Sequence, residues 1–252
     1  MTAPGISRRR LVGSLGTGLL LAGCDRLNSS PAFRETLRGA EGLTMRAQRL
    51  ISDRGALARE FARSDISPVF RSNGTHVPPG DEYAAHAAAH FTNWRLVVDG
   101  LVNRPLSLSL AQLMALPHRT QITRHDCVEG WSAIGQWTGT PLRLLLRAAD
   151  LKSNARYLVF HGADRYSAGF YYESIDLIDG FHPQSILAWG LNGHRLPVAN
   201  GAPLRLRVER QLGYKQAKYV QRIEAVASLA GIGGGKGGYW EDANDYEWYA
   251  GI

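Results

Sequence analysis

The feature that most constrains the fold is a series of short strand-like runs that begins near Trp94 and continues through most of the remaining chain. The run WRLVVDG alternates in polarity and stops at an Asp-Gly pair. Alternation with a period of two is typical of strands that bury one face. Glycine, proline and asparagine separate the further runs ARYLVFHGAD, SILAWGLNG, PLRLRVE and KYVQRIEAV. The pattern predicts a core built mainly from β-strands.

Two helical segments interrupt these strands. The run LSLSLAQLMAL predicts a strand that passes into a short helix. The run TPLRLLLRAADL predicts a helix with Thr140 as its N-cap and Pro141 at its first position. The sequence shows no internal repeat. We therefore predict one mixed α+β domain with a largely β core, which covers residues 66–252.

The residues before this domain have a different pattern. Residues 24–65 are rich in arginine and place apolar residues close to helical spacing, which predicts an amphipathic helical arm. These apolar residues are Leu43, Ala47, Leu50, Leu57 and Phe61. The basic face of the arm is compatible with a position near anionic lipid, and equally with a solvated helix face that packs on the domain.

The first 23 residues have the features of an export signal. Three arginines, Arg8 to Arg10, precede an apolar run of twelve residues, which is typical of a twin-arginine signal and too short to span a bilayer. The letters LAGC, which end at Cys24, resemble a lipoprotein processing site at which that cysteine receives a lipid. We expect a periplasmic protein that a lipid on Cys24 anchors to the membrane, with Asp25 favouring the inner membrane.

Charge and cysteine content narrow the range of functions that we expect. The signal holds three of the 29 lysine and arginine residues and none of the 22 acidic residues, so the remaining chain is only mildly basic and nucleic acid is not an expected partner. With Cys24 lipidated, Cys127 has no disulfide partner in the chain. It could be a buried inert thiol, a nucleophile or a metal ligand. Export in the folded state favours a soft-ligand metal centre assembled in the cytoplasm.

Several longer motifs carry a family resemblance. They are RHDCVEGWS, WTGTPLRLLL, LAWGLNGHRLPVANGAPLRLRVERQLGYKQAKYVQRI and YWEDANDYEWYAGI. Together they resemble the sulfite oxidase superfamily of molybdopterin enzymes, and within it the branch of periplasmic sulfoxide reductases. The resemblance covers residues 66–252 and implies a mixed α+β, largely β molybdopterin-binding domain.

The resemblance also implies a site. Cys127 matches the cysteine that ligates molybdenum beside the two sulfurs of the pterin dithiolene, and thiolates suit a metal that cycles by two electrons. Family cofactor contacts match Asn73, Asn200, Arg205, Gln216, Ala217 and Lys218, and Gly162 stands where the reductases have a threonine contact. Each of these residues could instead be a turn residue or a surface cation. Arg205 and Arg207 would face the same side of a strand, so at least one of them is expected to be ordinary.

His125 lies two residues before Cys127 on the same strand face, so it could deliver protons near the metal or be a hydrogen-bonded core histidine. The arginine that sulfite oxidases place shortly after the cysteine is missing, since that stretch reads VEGWS. We therefore expect a molybdenum-dependent oxidoreductase that reduces a small S-oxide. Sulfite or organosulfur oxidation, and a non-catalytic lipoprotein binding module, are the alternatives. The resemblance suggests a membrane haem protein or cytochrome as electron partner.

Overall fold

The computed structural model describes residue 27, residues 29–53 and residues 55–252. The predicted signal and Cys24 lie outside the described residues. The chain divides between Ser52 and Asp53 into two compact units. The predicted boundaries of the signal, arm and domain stay predictions.

The described part of the first unit is mainly one helix, α1 (Pro31–Ile51). Its start follows from local chemistry, because the Ser30 hydroxyl accepts a hydrogen bond from the Phe33 N–H and Pro31 occupies the first turn, where no N–H is needed. The helix ends at Ile51, and Ser52 returns to extended backbone. The predicted amphipathic pattern is therefore helical over 21 residues. Leu57 and Phe61 lie beyond this helix, in the second unit.

The second unit contains the strands and the other helices. The strands are β1 (Arg95–Gly100), β2 (Leu106–Ser109), β3 (Arg119–Cys127), β4 (Trp131–Pro141), β5 (Tyr157–Tyr166), β6 (Gly169–Asp176), β7 (Ile186–Leu191), β8 (His194–Arg195), β9 (Arg205–Arg207) and β10 (Val220–Val226). The helices are α2 (Asp81–Ala88), α3 (Leu110–Ala115), α4 (Leu142–Ala149), α5 (Leu177–Gly180) and α6 (Tyr239–Asn244). Short 3₁₀ turns occur at Arg63–Asp65, Val198–Asn200 and Gly213–Lys215.

The strands form two five-stranded sheets. In the first sheet the order is β2-β1-β10-β5-β6, and only the β1–β10 pair is parallel. In the second sheet the order is β3-β4-β7-β8, and β9 also pairs with β7; every pair there is antiparallel. The strands predicted from the five alternating runs are all present. The mixed α+β, largely β fold is therefore confirmed.

A large apolar core lies against the first sheet, and α4 shows how the sequence builds it. Leu142, Leu145, Leu146 and Ala149 recur at helical spacing and are all buried, so one stripe of the helix enters the core. Burial of each leucine stabilises the fold by about 1.5–3 kcal/mol. The opposite side of α4 carries Arg143 and Arg147.

The predicted start of α4 is wrong by one residue. Thr140 is still part of β4, where it pairs with Leu187 of β7. Its buried hydroxyl donates to the Leu113 carbonyl instead of capping the helix. Pro141 takes the N-cap position, and the Leu142 N–H donates to the Ser185 carbonyl. The Ser185 carbonyl therefore satisfies a backbone N–H at the start of α4, where the sequence predicted a side-chain cap.

Within the described part of the chain, the structure contains no helix long and apolar enough to cross a membrane.

Within the second unit, a fully buried ionic cluster ties the C-terminal segment to strand β6. The Lys215 ammonium donates to Glu173 and to Glu241 Oε1, the latter at 2.7 Å, and all three side chains are inaccessible to solvent. Burial raises the pKa of Glu173 well above its usual range, while the two carboxylates raise the pKa of Lys215. Because the lysine lies between two carboxylates on β6 and α6, its charge joins elements distant in sequence.

We predict that Lys215→Met lowers the free energy of unfolding by about 3–5 kcal/mol, because it leaves two buried carboxylates without their cation. The loss is expected to be larger at pH 8 than at pH 5, since burial raises the pKa of Glu173 and its protonation relieves the loss at low pH. Urea unfolding measures both. Lys152→Met, at an exposed lysine, is the matched control and should change stability by less than about 0.5 kcal/mol. Equal effects of the two variants would show that the buried cluster is not stabilising.

Candidate functional site

Strand β3 carries Cys127 to the edge of a cavity. Gln121, Thr123, His125 and Cys127 alternate along it and are all buried on one face. Cys127 is its last residue, and the following turn is closed by a 3.0 Å hydrogen bond from the Gly130 N–H to the Cys127 carbonyl. The strand therefore ends with the thiol only 8% exposed.

The cavity has a volume of about 160 Å³. Its lining brings together three segments far apart in sequence: the loop before α2, the β3–β4 turn, and the region from β5 to the C-terminus. The lining residues are Asn73, Gly74, Cys127, Val128, Glu129, Asp164, Tyr166, Tyr171, Gly213, Tyr214, Gln216, Lys218, Trp240 and Tyr246. Four of the residues predicted for the site, Asn73, Cys127, Gln216 and Lys218, thus line the same cavity.

The surroundings of the Cys127 thiol contain groups that raise its pKa and groups that lower it. Burial raises its pKa, and the nearby Glu129 carboxylate adds to this. The backbone N–H groups of Glu129 and Val128 donate to the sulfur and, together with the Arg205 charge, favour the thiolate. Without a metal the thiol stays protonated more readily than a free cysteine. Since metal coordination deprotonates a thiol, a bound metal would reverse that preference and keep the same N–H donors.

Arg205 is a fully buried cation with incomplete pairing. Its Nη1 donates to the Asn200 carbonyl and its Nη2 to Asn73 Oδ1, each at 3.2 Å, while Nε has no hydrogen-bond partner. Among the described residues no carboxylate forms an ion pair with Arg205, and burial with the Arg207 charge lowers its pKa to about 9. A buried guanidinium without an anion fits an anionic ligand group such as a phosphate.

Arg207, two residues further along β9, has a carboxylate partner, unlike Arg205. It is also fully buried, but its guanidinium binds Glu209, with 2.9 Å between Nε and Oε1, and stacks over Trp137. The expectation that at least one of the two arginines is ordinary agrees with this pairing, although neither lies on the surface.

Lys218 holds the loop that carries Asn73. Its ammonium donates to the carbonyls of Asn73 at 2.7 Å and Ala199 at 2.8 Å, and also to the Thr75 carbonyl. Burial and the Arg205 charge lower its pKa to about 7. The lysine therefore fixes one wall of the cavity and adds positive charge there.

Asp164 is a site residue that our sequence analysis missed. It lines the cavity and is only 2% exposed, and its Oδ1 has no hydrogen-bond partner. Burial raises its pKa to about 7, although Lys218 and Arg205 oppose the shift. An unsatisfied acceptor in a cavity fits a ligand edge rich in N–H donors, such as a pterin ring. In a sequence, one aspartate in a strand-like run gives no signal of this role.

His125 lies directly behind the cavity wall. Its Nδ1 lies 3.0 Å from Arg207 Nη1 and 3.2 Å from Gln216 Oε1, while its buried Nε2 has no hydrogen-bond partner. Burial, Arg205 and Arg207 lower the pKa of His125 well below its usual range. A Cβ added at Gly213 would lie 2.5 Å from Nε2, so glycine is required there. The ring is neutral and does not line the cavity; its proposed proton role stays a prediction.

The remaining predicted residues lie near the cavity without all facing it. Gln216 lines it, with its Oε1 3.2 Å from His125 Nδ1. Ala217 belongs to the apolar core. Asn200 is buried beside Arg205, with an Nδ2 that has no partner. Gly162 lines a different groove, and a Cβ there would collide with the Asp164 carboxylate.

Aromatic rings form the other wall. Tyr166 and Trp240 lie 5.3 Å apart between ring centroids, Tyr214 and Tyr246 lie 5.1 Å apart, and Trp240 is nearly parallel to Tyr246 at 6.1 Å. Glu129, held by a 2.9 Å hydrogen bond from the Trp131 indole, adds a carboxylate to the lining. The cavity thus has a polar wall with buried charges and an aromatic wall, with the cysteine among its lining residues.

Comparison with known proteins identifies this architecture. Residues 83–230 match the family described as "Oxidoreductase molybdopterin binding domain". The chain therefore belongs to the molybdopterin-binding oxidoreductases. Membership confirms the expected class of enzyme and the molybdopterin cofactor.

Individual relatives show which members of this family the chain is similar to. The "Putative protein-methionine-sulfoxide reductase subunit YedZ1" of Azospira oryzae is 36% identical, over 94% of this chain and 84% of that protein. The catalytic subunit MsrP of protein-methionine-sulfoxide reductase is 36% identical in Ralstonia nicotianae and 37% identical in Gluconobacter oxydans, over 62% and 65% of this chain. The matches span about half the length of these two MsrP proteins.

Among solved structures, the sulfane dehydrogenase SoxCD from Paracoccus pantotrophus matches with a TM-score of 0.50 and 25% identity. That match covers 54% of this chain and 39% of that one. The expected resemblance to the sulfite oxidase superfamily, close to the sulfoxide reductases, is confirmed.

The described residues fit the molybdopterin cofactor. Cys127 offers a sulfur at the cavity, Arg205 offers a buried charge without an anion, and Asp164 offers an acceptor without a donor. The aromatic wall is the part that our sequence analysis missed most completely, although the terminal run YWEDANDYEWYAGI contributed to the resemblance. The separation of more than one hundred residues between Cys127 and Trp240 hides their proximity.

We predict that Cys127→Ser loses most of the molybdenum that the purified wild-type chain contains, because a serine oxygen is a poor substitute for a soft thiolate ligand. Elemental analysis against protein concentration measures this, and wild type should contain about one molybdenum per chain. Cys24→Ser, at the other cysteine of the chain, is the matched control and should keep its metal. Full molybdenum content in Cys127→Ser would contradict the assignment of this ligand.

Proposed function

We propose that this protein reduces an uncharged organic S-oxide, of the methionine sulfoxide type, to the corresponding thioether. The observation that carries the proposal is the pairing, in one cavity, of a cysteine sulfur with a polar cofactor wall and an aromatic substrate wall. The bound molybdenum cofactor supplies the two-electron redox centre for oxygen-atom transfer. Two electrons and two protons convert the S-oxide oxygen to water, which balances the reaction.

The residues of the chain divide between cofactor and substrate. We assign Asp164, Arg205 and Lys218 to the cofactor, because their unsatisfied or charged atoms suit a pterin and its phosphate, and Asn73 because it lines the cavity beside Arg205. We assign Trp240 and Tyr246 to the substrate, since sulfur contacts aromatic rings favourably. The names of the three relatives as methionine-sulfoxide reductase subunits support this assignment.

We also propose the cellular setting from the N-terminal sequence. A twin-arginine signal would export the folded, loaded protein, and a lipid on Cys24 would hold it at the periplasmic face of the inner membrane. Electrons would then come from a membrane haem protein or a cytochrome. The relatives named as a catalytic subunit and a subunit of such reductases support a second component.

Turnover in the two redox directions tests the function. The holoenzyme with a chemically reduced dye as electron source should oxidise that dye when a peptide containing methionine sulfoxide is added, and Cys127→Ser should not. With sulfite and an oxidised dye, turnover should be at least about tenfold lower in kcat/KM, a difference of about 1.4 kcal/mol. Sulfite oxidation without sulfoxide reduction would overturn the proposal in favour of the oxidative alternative.

A second prediction concerns the charge of the lining. Glu129 repels anions, so we expect Glu129→Arg to strengthen competitive inhibition by sulfite about tenfold, which corresponds to about 1.4 kcal/mol, while reduction of an uncharged sulfoxide changes much less. Inhibition constants from steady-state assays measure this. Glu82→Arg makes the same charge change at an exposed helix position outside the cavity and should leave sulfite inhibition unaltered. Equal inhibition in both variants would remove Glu129 from anion discrimination.

A further inference from the structure

Helix α1 presents an unusual apolar stripe. Its apolar positions recur at spacings of three or four residues, with one adjacent pair at the end, which places them along one side of a helix. The stripe consists of Phe33, Leu37, Ala40, Leu43, Ala47, Leu50 and Ile51. Leu43 is 65% exposed, Leu50 86% and Ile51 87%. These three large aliphatic side chains are thus more exposed than those of Met45 and Arg49, which lie outside the stripe.

The polar side of α1 is basic. The α1 segment holds four arginines and two glutamates, and helical spacing places Arg34, Arg46 and Arg49 outside the stripe. Long arginine side chains can extend from such a face toward phosphates while the apolar face is buried. A helix with an apolar stripe, an arginine-rich opposite face and a moderate net positive charge is suited to the interface of an anionic bilayer.

The position of the helix in the chain favours the same occupant. Pro31 follows Cys24 by seven residues, and a fully extended chain of that length reaches at most about 25 Å. If Cys24 carries the lipid that we propose, the start of α1 cannot move further than this from the membrane surface. A single acyl anchor gives only marginal attachment, so a second contact would add materially to residence.

We propose that α1 is a membrane-surface helix, whose stripe inserts among the acyl chains and whose arginines bind the headgroups of anionic phospholipids. The lipid on Cys24 brings the helix to the bilayer, and the stripe supplies the second contact. This function is separate from the reaction at the cavity. It requires that the helix binds anionic vesicles even when no lipid is attached to the chain.

The test uses holoenzyme that begins at residue 24 and carries Cys24→Ser, so no acyl chain can contribute. Its partition onto phosphatidylcholine vesicles with and without phosphatidylglycerol is measured by co-sedimentation. Leu43→Glu and Gln48→Glu each add one carboxylate to an exposed position of α1, and only the first lies in the stripe. Gln48→Glu should weaken binding about fivefold through charge alone. Leu43→Glu should weaken it at least about tenfold more, because apolar burial is lost too.

Several outcomes would overturn the proposal: no partition onto anionic vesicles, equal losses in the two variants, or a stripe-dependent dimer in solution without vesicle binding. Capture by a membrane haem protein but not by protein-free vesicles would also overturn it, and would assign the stripe to a protein partner. Turnover of a soluble sulfoxide peptide is measured on the same samples. Because both variants should keep that turnover, a failed membrane test is distinct from a failure of the proposed activity.

Discussion

The second unit depends on how it neutralises positive charge in its interior. Arg205, Arg207, Lys215 and Lys218 are all buried, within a stretch of fourteen residues. A buried ion costs several kcal/mol unless it is paired and hydrogen-bonded. Arg207 has Glu209, Lys215 has two glutamates, and Lys218 has three backbone carbonyls. Arg205 alone lacks an equivalent set, and it lies next to the cavity wall that holds Asn73.

This distribution explains why stability and binding are coupled at the site. The three satisfied cations fix β9, the 3₁₀ turn before Gln216 and the loop that carries Asn73. The unsatisfied Arg205 and the unsatisfied Asp164 are then held rigidly beside the cavity, and a ligand with an anionic group and N–H donors would complete both. The fold bears the cost of these unpaired groups because its other contacts define their positions.

The two sheets contribute different halves of the site. Strand β3 in the second sheet delivers Cys127, while strands β5 and β6 in the first sheet deliver Asp164, Tyr166 and Tyr171. The C-terminal segment then adds Trp240 and Tyr246, with Lys215 binding the adjacent helix through Glu241. A cavity lined by such separated elements forms only when both sheets have folded.

The sequence by itself determined the strands that the alternating runs mark, the buried face of α4, the cysteine as the predicted focus of the site and the family to which the chain belongs. These follow from local periodicity and from long ordered motifs, which survive without knowledge of contacts. Only the tertiary structure decided that Asp164 and the aromatic wall face Cys127, that Ala217 lies in the core, and that Thr140 continues a strand instead of capping a helix. It also decided that Arg207 is neutralised and Arg205 is not. Pairing between distant side chains sets the energy of each buried charge, and no local pattern in the sequence specifies which partner a side chain will meet.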